Sequence, residues 1–417
     1  MEQIIKNLRS NPIFRMSLGS KELFHSNFLE YLWYVNQGAF IEIINDFLPE
    51  KPLVKHLDYQ IGRELENYDV CIYHEERIKG KNTEDKKKVV YDLVLENKVK
   101  SIPYKEQLMD YVNKASKSPD CRFILLTLSK DFPDIGDKNV AKWTIVQYHL
   151  LWNKIKKYYL ESSCCLDKDS HYIKDYCDFI AQLVKLKEII IPKSIIQGVL
   201  FDKDTIETLK DVRLHDLYIK LRCSWFVMTL KKKLTEECHF SPVVVVHKYE
   251  EIINEHKRSG IYLNVDMNQG NGQIAAWIYD SNDKKGNTFE VVIQGNQYRH
   301  GINQRSIAET DEANKMYGIE NRKFGHLNLL YSRLANTTYK RAKYFLDFKN
   351  EEGICPNKAD NFRKTTGQKI QKAGPFCCYD KSYIYRHKSI DGKTVDELIN
   401  MMVSDISEIY PKIPELL

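Results

Sequence analysis

The stretch Val89-Val90-Tyr91-Asp92-Leu93-Val94-Leu95-Glu96-Asn97-Lys98-Val99-Lys100 constrains the fold more than any other part of the chain. Its density of Val and Leu marks a strand inside a sheet, where charged groups are costly unless paired or bound to metal. Side chains alternate between faces, so Asp92, Val94, Glu96 and Lys98 share one side, with Glu96 and Lys98 about 6.5–7 Å apart at Cα. A carboxylate and an ammonium then converge on one small volume.

The chain has 417 residues, too many for one ordinary core, and two domains are expected, 1–192 and 193–417, with Pro192 at the boundary. A hydrophobic content of 43% with 29% charged residues describes a folded protein whose longest apolar runs are strand-sized, so no membrane span is expected. The start, Met1-Glu2-Gln3-Ile4-Ile5-Lys6, lacks the apolar core of a signal peptide, which predicts a cytoplasmic protein. Ten scattered cysteines, including the pairs Cys164-Cys165 and Cys377-Cys378, have no CxxC spacing, so neither a zinc ribbon nor a disulfide framework is expected. The net charge of +6 is mild and compatible with a polyanionic partner.

Residues 20–35 read as an amphipathic helix capped by Ser20, with Leu23, Phe24, Phe28 and Leu32 as its packing stripe. Glu22, His25, Ser26 and Leu29 follow i, i+3, i+4, i+7 spacing. They either aim a carboxylate, an imidazole and a hydroxyl together or form a solvated polar face. A second helix covers Phe40–Phe47, and two strands follow, around Asp58–Glu64 and Tyr68–Tyr73, the latter opened by Asp69. The charged segment His74–Lys88 reads as a long exposed hairpin loop before the opening strand. Then come a helix from Tyr104 with Pro103 near its start, strands at Cys121–Leu128 and Trp143–Tyr148, and helices at Leu150–Leu160 and Tyr172–Leu186. Beyond Pro192 the pattern predicts helices within Asp204–Leu234, strands at Ser241–His247, Gly260–Met267, Gln273–Tyr279 and Phe289–Gln294, and helices at Gly325–Leu346 and Thr394–Ile409. The expected class is α/β with a mixed sheet, followed by a second α+β domain.

Asp69, Glu96 and Lys98 form a chemical set. Two carboxylates within about 4–5 Å repel each other unless a cation lies between them. Magnesium suits such a pair, because it takes one or two carboxylates and accepts phosphate oxygens as further ligands. Lys98 beside it can orient or help deprotonate water and stabilise charge on the phosphate. Asp92, on the same face as Glu96, rivals Asp69 for the second carboxylate. A plain ion pair between Glu96 and Lys98 is the non-functional alternative.

These residues resemble the PD-(D/E)XK nuclease superfamily, whose pattern is an Asp opening one strand and Glu-x-Lys on the next. Here that is Tyr68-Asp69-Val70 and Leu95-Glu96-Asn97-Lys98. More narrowly, His25-Ser26, Arg63-Glu64, Glu96-Asn97-Lys98 and Gln107-Leu108-Met109-Asp110-Tyr111 are similar to a bacterial branch carrying these elements in this order. The resemblance covers about residues 20–160 and implies a restriction-endonuclease-like αβββαβ core. It implies Mg²⁺ or Mn²⁺ held by Asp69, Glu96 and the carbonyl of Asn97, with Glu22, or otherwise Glu30, completing the shell. Gln107 and Tyr111 would support the site or, with Lys100, touch nucleic acid. The superfamily's placement of its Asp on the preceding strand favours Asp69 over Asp92.

The expected function is therefore metal-dependent phosphodiester hydrolysis, of DNA before RNA, in restriction or antiphage defence, with a homo-oligomer or a defence-system protein as partner. The alternative is a nucleic-acid-binding or regulatory protein built on the same fold. Lys86-Lys87-Lys88, Lys231-Lys232-Lys233 and the interleaved Tyr339-Lys340-Arg341-Ala342-Lys343-Tyr344 are weaker nucleic-acid signals, because Lys runs are commonly solvated faces and aromatics commonly core.

Overall fold

The computed structural model describes residues 1–19, 21–54, 58–79, 85–129, 142–162, 166–191, 198–246, 259–268, 270–282, 288–303, 377–379 and 383–412. The expected helix at Gly325–Leu346, with its Tyr339–Tyr344 run, lies outside these residues, as do Ser20 and Pro192. The chain divides into two compact units, Met1–Lys193 with Asp202–Arg222, and Ser194–Phe201 with Cys223–Leu417. No helix among the described residues is long and apolar enough to cross a membrane.

The first unit opens with four helices, α1 (Glu2–Ser10), α2 (Pro12–Met16), α3 (Glu22–Val35) and α4 (Gln37–Phe47). Asn11 and Asn36 start α2 and α4 by accepting backbone N–H bonds from Phe14 and Ala39, satisfying donors that a helix start leaves orphaned. Strands β1 (Gln60–Gly62), β2 (Val70–Lys79) and β3 (Asp85–Lys98) pair antiparallel. After α5 (Lys105–Lys114), β4 (Arg122–Thr127) and β5 (Trp143–Gln147) add in parallel, giving a mixed five-stranded sheet in the order β1-β2-β3-β4-β5. Helices α6 (Tyr148–Ile155), α7 (Asp167–Ile190) and α8 (Lys203–Lys210) follow. Helix α9 (His215–Glu236) begins in this unit and ends in the second.

β3 and β4 lie inside the sheet, and Leu93, Leu95, Ile124 and Leu125 are buried. Tyr91, Val94, Leu108 and Tyr111 share one apolar cluster, which places α5 over one face. On α3, His25, Ser26, Phe28, Leu29 and Leu32 are buried, so the solvated polar face considered for His25 and Ser26 does not exist. Leu23, assigned to the packing stripe, is instead 51% exposed. No side chain caps α3, whose N-cap is Lys21.

Two features of β2 and β3 depart from expectation. The ladder runs through to Lys79 opposite Asp85, so most of His74–Lys88 is a two-stranded ribbon and not a loop. The register also shifts: Ile72 pairs with Leu93 but Tyr73 with Tyr91, leaving Asp92 as the extra residue of a β-bulge. Tyr91 and Val94, three residues apart, consequently reach the same cluster. Asp92 thus leaves the face of Glu96, and its Oδ2 lies 2.5 Å from Nδ1 of His74.

In the second unit β6 (Val243–Val246), β7 (Gly260–Asn268), β8 (Asn271–Tyr279), β9 (Thr288–Gln294), β10 (Gln297–Asn303), β11 (Cys377–Tyr379) and β12 (Tyr383–Ser389) form a seven-stranded sheet in the order β11-β12-β10-β9-β8-β7-β6. All its pairs are antiparallel except β6 with β7. The helix Val395–Ile409 begins in a capping box between Thr394 and Glu397 and buries Leu398, Met402 and Ile406. Its Asp405 receives the Tyr298 hydroxyl at 2.5 Å and lies 2.8 Å from His300 Nε2, which ties helix to sheet. The class is therefore an α/β core with a mixed sheet and a following α+β domain.

Ile124 is fully buried on β4, between β3 and β5. Ile124→Ala is expected to lower unfolding stability by about 2–5 kcal/mol in urea titrations, because the interior strand cannot collapse onto the void.

Candidate active site

β3 delivers Glu96, Asn97 and Lys98 at its carboxyl end, where they lie in register with Leu125, Leu126 and Thr127 of β4. Asp69 immediately precedes β2. Since Val70 pairs with Leu95, one more step of the ladder sets Asp69 opposite Glu96. The turn before it is tight: Glu64, Glu66 and Asn67 all have positive φ, and Leu65 and Tyr68 form a bridge. Of these three only Asn adopts that conformation readily, and the turn is held from outside by the Tyr111 hydroxyl, which donates to the Asn67 carbonyl at 2.8 Å.

Two contacts join the expected residues. The Asn97 backbone N–H donates to Asp69 Oδ2 at 2.7 Å, and Lys98 Nζ lies 2.7 Å from Glu96 Oε1. Glu96 Oε2 is buried without a hydrogen-bond partner. Glu96, Asn97 and Lys98 are all buried. Burial pushes the Glu96 carboxyl up to about 8, against the pull of Lys98 and with added repulsion from Asp69 and Glu22. Burial likewise pushes Asp69 up to about 6, although the Asn97 N–H and Lys98 favour its charged form. For Lys98, burial works against the ammonium, but Glu96, with Glu22 and Asp69 beyond it, holds it above its ordinary value. The site thus carries an excess of carboxylate that one ammonium does not neutralise.

The side chain of Asn97 points the other way, toward α3. Its Nδ2 donates to the Glu22 carbonyl at 3.1 Å and reaches Ser26 Oγ at 3.5 Å, while its Oδ1 accepts from the Tyr148 hydroxyl. His25 Nδ1 lies 3.0 Å from the Tyr176 hydroxyl, and complete burial pushes this imidazole down to about 3. His25 and Ser26 therefore act inside the protein, orienting the residue that presents its N–H to Asp69. Tyr148 and Tyr176 are the members that sequence reasoning missed. Both read as ordinary buried aromatics, and no spacing marks a hydroxyl that caps an asparagine two helices away.

Glu22 sits in the first turn of α3, and its Oε1 accepts the N–H groups of Lys100 at 3.1 Å and Ser101 at 2.8 Å. It acts electrostatically on Asp69, Glu96 and Lys98. Glu30, the other first-helix candidate, is taken by Arg63, which also donates to Asn27. Gln107 Nε2 donates to the Tyr111 hydroxyl at 2.8 Å, while its Oε1 is buried without a partner. The Tyr111 phenol is raised by burial and then by Glu96 and Asp69. Lys100 does not face outward: its Nζ donates to the carbonyls of Gly19 and Arg213 and lies 2.8 Å from Asp216. It clamps the strand's end to the start of α9.

Among the described residues no group of three or more His, Cys, Asp or Glu is placed to hold a metal ion. A hard divalent cation needs only one or two carboxylates when water and phosphate complete its shell. The orphaned Glu96 oxygen and the raised Asp69 carboxyl fit that demand.

Residues 13–178 match the family model of the PD-(D/E)XK nuclease superfamily. The likeness to that superfamily lies in this part of the chain. No curated protein and no solved structure matches the chain. The matched region contains the site residues described above, from Glu22 to Tyr176.

A carboxyl whose folded pKa lies above its unfolded value contributes stability that fades as pH rises toward the folded value. Between about pH 7.5 and 8 the native Glu96 keeps a proton that the unfolded chain has lost, while His25, buried and neutral in the fold and ordinarily at 6.5, is largely neutral in both states. Metal-free protein is expected to lose thermal stability across this window, and Glu96→Gln to lose less. Equal slopes in calorimetry with EDTA present would contradict the burial of that carboxyl.

Proposed function

We propose that the first unit is a divalent-metal-dependent nuclease that hydrolyses phosphodiester bonds, of DNA in preference to RNA. The observation that carries this reading is the convergence of Asp69, Glu96 and Lys98, with a buried Glu96 oxygen left unsatisfied and a second carboxylate near enough to repel it. Asp69, Glu96, the main-chain carbonyl of Asn97 and Glu22 would hold Mg²⁺ or Mn²⁺. Bound there, the cation would make hydroxide available near neutral pH and neutralise the phosphate.

Lys98, held as an ammonium by Glu96, donates to the incoming water or to a phosphate oxygen and stabilises the charge that grows there. Asn97 keeps Asp69 in place through its N–H. Tyr111 fixes the turn that delivers Asp69, and Gln107 fixes Tyr111, with its unsatisfied Oε1 as an acceptor for a water or a sugar hydroxyl. Residues 193–417 would choose the target, the partner or the activating signal. The likeness of His25-Ser26, Arg63-Glu64 and Gln107–Tyr111 to a bacterial branch supports a place in restriction or antiphage defence, in the cytoplasm.

Incubation with labelled single- and double-stranded DNA and RNA, in Mg²⁺, Mn²⁺ or EDTA, tests the proposal. Cleavage is expected with either metal and not with EDTA, falling about 10²–10³-fold in Lys98→Ala. Undiminished cleavage by that variant, or cleavage in EDTA, would sink the mechanism. No cleavage of any substrate would favour a binding or regulatory protein on this fold.

Asp92, paired with His74 across the bulge, serves as an internal control. Asp92→Asn is expected to keep activity within about threefold of the unsubstituted protein, the effect of a structural change away from the reacting atoms. A loss matching that of Asp69→Asn would reverse the choice of carboxylate.

A further inference from the structure

The site needs a polyanion but does not supply the charge to hold one. Glu22, Asp69 and Glu96 make it acidic, Lys98 is committed to Glu96, and Lys100 is committed to Gly19, Arg213 and Asp216. Affinity for nucleic acid comes chiefly from cations set against phosphates, so they must lie elsewhere.

The strands that carry the site continue into the ribbon. β1 pairs with β2 only at Cys71–Tyr73, and β4 pairs with β3 only from Leu93 onward. Residues 74–79 and 85–90 therefore extend as two strands paired only with each other among the described residues. These residues include Arg77, Lys79, Lys86, Lys87 and Lys88 against Glu75, Glu76 and Asp85, five cationic against three acidic. Arg77 pairs with Lys87 in the register and Glu76 with Lys88, which by alternation places Lys87 and Lys88 on opposite faces. Arg77 and Lys87 are exposed, and Lys87 bridges to Glu75 at 2.6 Å.

We infer that this ribbon is an arm that seats in the major groove of a duplex nucleic acid whose scissile phosphate lies at Asp69 and Glu96. The inference rests on the nuclease reading above. A two-stranded ribbon is the width that a B-form major groove admits, and cations on both faces meet phosphates on both walls. The eight residue steps from Asp69 to Arg77 span about 26 Å of strand, close to eight base pairs at about 3.4 Å each. Because arm and site share β2 and β3, their separation is fixed by the ladder. Charges along unpaired edges oppose strand addition by a second copy, which leaves a polyanion as the matching occupant.

The test uses the full chain carrying Lys98→Ala, so that binding is read without cleavage, and a labelled DNA duplex of about three helical turns. Adding Lys86→Glu, Lys87→Glu and Lys88→Glu is expected to weaken binding at least about tenfold and to flatten the dependence of log K on log salt by about 2–3 units. The milder Lys→Gln triple, with an unchanged thermal midpoint, is expected to fall between. With Lys98 unsubstituted, hydrolysis of bis(p-nitrophenyl) phosphate, too small to reach the arm, is expected to be unchanged by either triple. Unchanged duplex affinity in both triples would overturn the arm and leave the nuclease reading standing. An equal loss on single strands, or loss of a dimer in the triples, would overturn the duplex assignment. Failure of the unsubstituted chain both to bind duplex and to hydrolyse the small diester would overturn arm and nuclease reading together.

Discussion

A carboxylate and an ammonium buried at the end of an interior strand are tolerable only together, and the first unit is arranged around that requirement. Lys98 Nζ lies 2.7 Å from Glu96 Oε1. Removing one partner of such a pair strands a charge at a cost of about 3–5 kcal/mol, whereas an apolar pair of the same shape often serves stability better. A pair retained in this position is therefore a weak stabiliser and a strong constraint. Asp69 makes the balance worse, and burial shows it in the raised carboxyls of Asp69 and Glu96. The surrounding structure supplies N–H groups, from Asn97 to Asp69 and from Lys100 and Ser101 to Glu22, which hold the carboxylates apart and oriented without neutralising them.

The two faces of β3 divide the work. Glu96 and Lys98 face the side covered by α5, whose Gln107 and Tyr111 brace the turn leading to Asp69. Asn97 faces α3 and is locked by Ser26, the Glu22 carbonyl and Tyr148. One residue thus couples the helical layer to the charged face through its side chain on one side and its N–H on the other. The neutral His25 completes the locking layer, since complete burial works against a charged imidazole there.

Whereas the preceding Asp was singled out by the resemblance to the superfamily's pattern, the strand and its Glu-x-Lys were legible from the alternation of apolar and charged residues, because alternation is local and strong in an interior strand. The order of helices and strands was legible for the same reason. The role of Asp92 was not. A single extra residue opposite Tyr73 flips it to His74, and no local pattern announces where a partner strand shifts register. The segment His74–Lys88 was read as a loop because charge suggests solvent, yet charge on both faces of a ribbon is also compatible with a ladder exposed on both sides. Lys100 looked like a phosphate ligand until Gly19, Arg213 and Asp216 were found around it.

The sequence by itself singled out the candidate residues: Glu96 and Lys98 by their types and spacing on one strand, and Asp69 by its place before the preceding strand in a pattern that resembles the superfamily's. It also determined the class of sheet that holds them, since periodicity encodes burial. Only the tertiary structure decided which carboxylate faces Glu96, which lysine is committed to an internal clamp, and which tyrosines orient Asn97. Those outcomes depend on register and on contacts between residues far apart in the chain, set by packing of the whole unit and not by neighbours along it.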